Sequence, residues 1–146
     1  MKALILEDLK DMTEEQVIEH LITCYSGTSS HHDYGEINES DILESRKKLE
    51  NMEILIAYES VGSWGCDSSS YFLLRDKITK KLYECYGSHC SCYGFEGQLD
   101  LEETTEEALK FRTSIAGNLF YTGGYDSNSH DNLIKAKNHI NEIFNN

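Results

Sequence analysis

His89, Cys90 and Cys92 fall within four residues of one another in Gly87-Ser-His-Cys-Ser-Cys-Tyr-Gly94. Imidazole and thiolate are the donors Zn²⁺ prefers, and an extended Cys-x-Cys sends both sulfurs to one face. Three ligands leave a tetrahedral site one short. Asp67 is the first candidate for the fourth position, neighbouring Cys66 is the sulfur alternative and Cys85 the local one. A strand through Cys85 would make that thiol a core-packing residue before a ligand. The spacing is not the paired Cys-x₂-Cys of zinc ribbons, so the expected role of the zinc is structural, the clamping of a loop. Buried thiols and a histidine holding the same loop by hydrogen bonds are the competing account.

The same residues bear on catalysis. A histidine beside a cysteine can lower its pKa and accept its proton, but a working nucleophile also needs an oriented base and an oxyanion site, and neither is identifiable. The zinc-deaminase pattern requires His-x-Glu and Pro-Cys-x-x-Cys, whereas the chain has no proline and His89 is followed by Cys90-Ser91. Gly117 to Gly124 lacks the lysine of a phosphate-binding loop and reads as a turn. The pair His31-His32, with Cys24 or Asp33, offers a second metal site, against the plainer reading of exposed loop side chains. Binding rather than enzymatic turnover is therefore expected.

Glu96, Asp100, Glu102, Glu103, Glu106 and Glu107 form an acidic run without an intervening base. Such a run commonly solvates a surface and places favourable charge at a helix N-terminus. It also suits a basic partner, because carboxylates on a small rigid domain can occupy a channel whose Lys and Arg await phosphates.

Composition points the same way. Across 146 residues, 26 acidic side chains oppose 13 basic ones, giving a net charge of -13. A free-standing nucleic-acid binder needs a basic surface that releases counterions from phosphate, so that class is excluded. No apolar stretch approaches the roughly 20 residues of a membrane span. The N-terminal Met1-Lys-Ala-Leu-Ile-Leu-Glu-Asp is too short in apolar residues for a secretory signal, so a cytoplasmic location is expected. Five cysteines cannot all pair, and reduced thiols or metal ligands suit that compartment.

The elements that must position these residues suggest a single α+β domain over 1–146, with an antiparallel sheet of three or more strands, about four helices and a Cys/His loop. Thr13-Glu-Glu-Gln16 is a capping box opening a helix that carries Val17, Ile18, Leu21, Ile22 and Tyr25, with Met12 and Val17 as a staple and Gly27 as a stop. A charged helix over about 39–51, with Ile42, Leu43 and Leu49 as its apolar face, follows a polar loop at 26–38. Strands are predicted at 53–60, 69–75 and 81–86, the last two joined by the turn Asp76-Lys-Ile-Thr-Lys80. A second capping box at Thr104-Thr-Glu-Glu107 should start a helix with Ala108, Phe111 and Ile115 on the core. The last helix, about 130–144, carries Leu133, Ala136, Ile140 and Ile143 on one stripe.

Ser69-Ser-Tyr-Phe-Leu-Leu-Arg-Asp76 and Leu82-Tyr-Glu-Cys-Tyr-Gly-Ser-His-Cys-Ser-Cys-Tyr-Gly-Phe-Glu-Gly-Gln98, continuing into Glu102-Glu-Thr-Thr-Glu-Glu-Ala-Leu109, resemble small proteins encoded by bacterial viruses. The resemblance covers roughly residues 60 to 110, with His89 to Gly94 its most specific part. It implies an inhibitor of host defence, foremost a type II anti-CRISPR that occludes the basic nucleic-acid channel of a Cas9-type nuclease without chemistry of its own. A zinc-stabilised interaction module aimed at another host protein, or a small thiol- or metal-dependent hydrolase, are the competing classes.

Overall fold

The computed structural model describes residues 2–27, 37–61, 68–89, 94–115, 119–120 and 129–144. Their order is β1 (Leu4–Glu7), α1 (Glu14–Tyr25), α2 (Glu39–Leu49), β2 (Met52–Ser60), β3 (Ser68–Asp76), β4 (Leu82–His89), β5 (Glu102–Thr104), α3 (Glu106–Ile115) and α4 (Ser129–Phe144). The α+β class and the four helices match the expectation. The sheet has five strands in the order β1-β2-β3-β4-β5 and is mixed, because β1 runs parallel to β2 while the remaining pairs are antiparallel. The parallel pair exists because α1 and α2 carry the chain back across the sheet between β1 and β2, the connection parallel neighbours require.

Side-chain alternation sorts the central strands onto two faces. Ile54, Ala57, Phe72, Leu74 and Cys85 join α1 and α2 through Val17, Leu21, Ile22, Tyr25 and Leu49. Leu55, Ile56, Tyr58, Tyr71 and Leu73 pack instead with Leu109 of α3 and Ala136 and Ile140 of α4. Leu55 and Ile56 share a face although they are consecutive, because the β2–β3 register shifts between Ile54 and Ile56. An extra residue in one strand of a pair does this to the alternation.

Local signals explain several boundaries. Thr13 caps α1 with both bonds of the capping box, and Asn38 and Asp41 form the corresponding box on α2. The helix ends at Tyr25, followed by Ser26 and by Gly27 at φ 105°, where the lack of a Cβ permits the reversal. The carbonyls of Tyr25 and Ser26 accept from the N–H groups of Leu99 and Gly97, so the segment after β4 closes the end of α1. Asp76 Oδ1 accepts from the N–H of Ile78 at 2.8 Å and of Thr79 at 3.0 Å, which builds the β3–β4 turn.

The sheet is mixed where the sequence predicts an antiparallel one, and three further expectations need correction. The cap of α3 is Thr105, whose Oγ1 accepts from Ala108 N at 3.1 Å, while Thr104 ends β5. The face that α3 turns to the core carries Leu109 and Thr113, while Ala108 is exposed and Phe111 is 62% exposed; the side chain of Ile115 lies outside the described residues. On α2, Leu43 is likewise exposed, and Ser45 and Leu49 turn inward. Finally, β4 runs on to His89, so this histidine lies on a strand rather than in the loop that follows.

Candidate functional site

His89 is the register partner of Ser68 at one end of the β3–β4 pair, and its ring meets Phe95 edge-on at a centroid distance of 4.5 Å. Asp67, Cys90 and Cys92, the other ligands expected from the sequence, and the alternative Cys66 lie outside the described residues. His31, His32 and Asp33 do so as well, as does most of Gly117 to Gly124. Among the described residues there is no group of three His, Cys, Asp or Glu side chains arranged to hold a metal ion.

Four buried oxygens bear on whether a cation suits this part of the molecule. Ser68 Oγ, Ser69 Oγ and Ser70 Oγ of β3 and Glu96 Oε2 are buried and have no hydrogen-bond partner among the described residues. Enclosed oxygens of this kind call for a hydrogen-bond donor or a cation. Cys85 is not part of that arrangement. It precedes His89 by four strand residues, about 13 Å along the strand, and its buried thiol donates to the carbonyl of Gln98 at 3.3 Å. Burial pushes that thiol up to about 11, as befits an inert packing cysteine.

The acidic residues divide. Asp100, Glu102, Glu103, Glu106 and Glu107 are exposed, placed on the approach to β5, on β5 itself and in the first turn of α3. Glu103 meets Lys81 at 3.4 Å and Glu106 meets Lys110 at 3.0 Å. Glu96 is set apart by its enclosed Oε2 and its approach to Gly94. Because β5 pairs with β4 and ends the strand order, Glu102 and Glu103 lie on a sheet edge, where charge also discourages edge-to-edge pairing, and Asp100, Glu106 and Glu107 flank it in sequence.

Two buried carboxylates went unnoticed in the sequence. Glu59 of β2 accepts from Tyr25 Oη at 2.6 Å and from His20 Nε2 at 2.8 Å, and His20 Nδ1 lies 3.6 Å from Cys24 Sγ. The hydrogen bond to Cys24, then that to Glu59, raises His20 to about 10, and the bond to His20 draws the Cys24 thiol below its ordinary value. On the opposite face, Glu84 of β4 accepts from Tyr71 Oη and from Arg112 Nη2, each at 2.6 Å. Arg112 Nη1 also donates to Tyr86 Oη at 2.6 Å. The one available sequence signal was His20 and Cys24 at i, i+4 on a helix; nothing in the strand patterns marks Glu59 or Glu84 as buried.

No helix among the described residues is long and apolar enough to cross a membrane. No known protein family, curated protein or solved structure matches the chain.

Proposed function

We propose that this chain is a phage-derived inhibitor of host defence that works by binding, with a Cas9-type nuclease as its target and occlusion of target DNA as its mode of action. The observation that carries this reading is the exposed acidic edge formed by Asp100, Glu102, Glu103, Glu106 and Glu107 on a chain of net charge -13. A rigid strand-and-helix corner presents these carboxylates, and a surface of that sign complements a channel lined by Lys and Arg. Occlusion asks for no reacting group, only for a fit that excludes the phosphates.

A structural zinc ion belongs to the same proposal. His89, Cys90 and Cys92 are its ligands, with Asp67 as the fourth, and its chemistry is to tie the segment after β4 to the loop before β3. The support is the histidine at the end of β4, opposite Ser68, whose buried hydroxyl has no partner among the described residues.

The test is target cleavage by a Cas9-type nuclease, with metal content measured on the same protein sample. The wild-type chain is expected to abolish cleavage, and a variant with Asp100, Glu102 and Glu107 changed to Lys is expected to fold and to inhibit at least tenfold less well. Inhibition undiminished in that variant removes the acidic edge from the account. Uninhibited cleavage with zinc present favours a zinc-stabilised module with another host target.

A further inference from the structure

We propose that Cys24 is a thiol–disulfide exchange site, activated by a relay through His20 to Glu59, that forms a mixed disulfide with neutral or cationic low-molecular-weight disulfides. The proposal is independent of the inhibitor reading and rests on a different part of the molecule.

The three groups stand in a line. His20 and Cys24 are one helical turn apart on α1, and Glu59 faces them from β2. The imidazole uses Nδ1 towards Sγ at 3.6 Å and Nε2 towards the carboxylate at 2.8 Å. A metal site would require the three to converge on one point; a line with histidine in the middle is the arrangement that orients a base on a thiol. Burial grades along it, since Glu59 is buried while His20 and Cys24 are partly exposed. The carboxylate end is thus enclosed, and the cysteine end is partly exposed. Tyr25 locks the anchor further by donating to the same Oε1 of Glu59 at 2.6 Å.

The position of Cys24 selects the chemistry. It sits in the last turn of α1, where the helix presents carbonyls rather than N–H groups. An oxyanion from acyl transfer finds no helix-terminus donors there. Disulfide exchange needs none, because charge in its transition state is spread over sulfur. The same helix end disfavours a bare thiolate and favours the imidazolium, so activation falls to His20 rather than to the helix dipole. The groups that act on the Cys24–His20 pair are Thr23 and Tyr25 from α1 and Glu59 from β2.

In the step itself, the Cys24 thiolate attacks one sulfur of the disulfide. A new S–S bond forms at Cys24 as the S–S bond of the reagent breaks. Cys24 is oxidised, the departing sulfur is reduced to a thiolate, and that thiolate takes a proton from His20 or water. The acidic surface repels anionic reagents, which is why the favoured class is neutral or cationic.

The experiment uses the full chain with 4,4′-dithiodipyridine, a neutral disulfide whose released thione is followed optically, and the modified cysteines are assigned by peptide mass. Cys24 is expected to react with a rate that titrates below that of an ordinary thiol, which titrates near about 8.5, and buried Cys85 is expected to stay unmodified in the native protein. His20→Gln is expected to slow Cys24 at pH 6.5 about 10-fold and to move its titration to the ordinary range. Cystamine is expected to outpace oxidised glutathione, which is anionic. A wild-type Cys24 that titrates like an ordinary thiol overturns the proposal, whatever the folding of the variant, and so does an equal rate in folded His20→Gln.

Discussion

Glu7 and Glu59 are register partners across the parallel β1–β2 pair, yet their carboxylates are held from opposite faces of the sheet. Glu59 accepts from His20 and Tyr25 of α1, while Glu7, at φ 56°, accepts from Asn132 Nδ2 of α4 at 2.7 Å. The left-handed backbone at Glu7 ends the strand and separates two charges that would otherwise lie side by side at a buried edge. Each face is thereby pinned to its helix by one acid.

The Tyr25–Glu59 bond should show itself as a coupling. Glu59→Leu takes the carboxylate acceptor from the buried Tyr25 hydroxyl, leaving it only Ser70 to turn to, and is expected to cost about 2–3 kcal/mol. Adding Tyr25→Phe removes that hydroxyl, so the double variant should be at least about 1 kcal/mol more stable than the sum of the single losses. Chemical denaturation of the four proteins measures this, and strict additivity would contradict the bond.

Arg112 ties α3 to β4 by neutralising Glu84, which is 6% exposed. Arg112→Met strands that carboxylate. The Arg112 side chain is 30% exposed, so the expected loss is about 2 kcal/mol rather than the larger cost of a fully enclosed pair. Glu84→Gln in the Arg112→Met background should recover part of it, because the amide still accepts from Tyr71 and no charge is left behind. Thermal melts that rank the double variant below Arg112→Met would reject this assignment.

Gly87 sits where no side chain fits. A Cβ there would collide with Ser70 Oγ and come within 2.9 Å of Phe95 Cδ1. Phe95 stacks on Tyr25 with centroids 4.7 Å apart and rings inclined by 9°, so it cannot yield without opening the core beneath α1. Gly87→Ala is therefore expected to destabilise the protein by about 2 kcal/mol. A melting temperature equal to the wild type would show that Phe95 is free to move.

The sign of the pH dependence follows from His20. Its folded-state pKa is raised from 6.5 to about 10, first by Cys24 and then by Glu59. The folded protein therefore holds this proton more tightly than the unfolded chain does. The resulting stability is fully present below pH 6.5 and is lost as pH rises through about 10. Unfolding free energies of the wild type and His20→Gln should accordingly differ most near pH 6 and converge towards pH 10. A difference that stays constant over that range would place the pair's stabilisation elsewhere.

Much of the frame was legible in the sequence, for reasons that are local. The capping box at Thr13 and Gln16, the stripe Val17, Leu21, Ile22, Tyr25 and the Asp76 turn each act over a few residues, so spacing alone identifies them. The strand β1 was not legible, because four residues become a strand only by pairing with β2 across a long crossover. The start of α3 slipped by one residue because only Thr104 has a Glu three residues on, which favours it as the cap by sequence, whereas the pairing of Thr104 with Leu82 holds it in β5 and leaves Thr105 to cap the helix. Of the expected metal ligands only His89 falls among the described residues. The Cys24, His20 and Glu59 row was half visible, as two residues on one helix face; its third member is set by tertiary packing of α1 on β2.

The central claim is that the acidic edge displaces DNA from a basic nuclease channel. The most direct measurement is equilibrium binding of target DNA to a guide-loaded Cas9-type nuclease in the presence of increasing amounts of the purified chain, at low and at high salt. DNA binding is predicted to fall to background once the chain is in excess over the nuclease, and the inhibition is predicted to weaken with salt as charge pairing is screened. DNA binding that persists unchanged at every ratio and salt concentration would contradict the account.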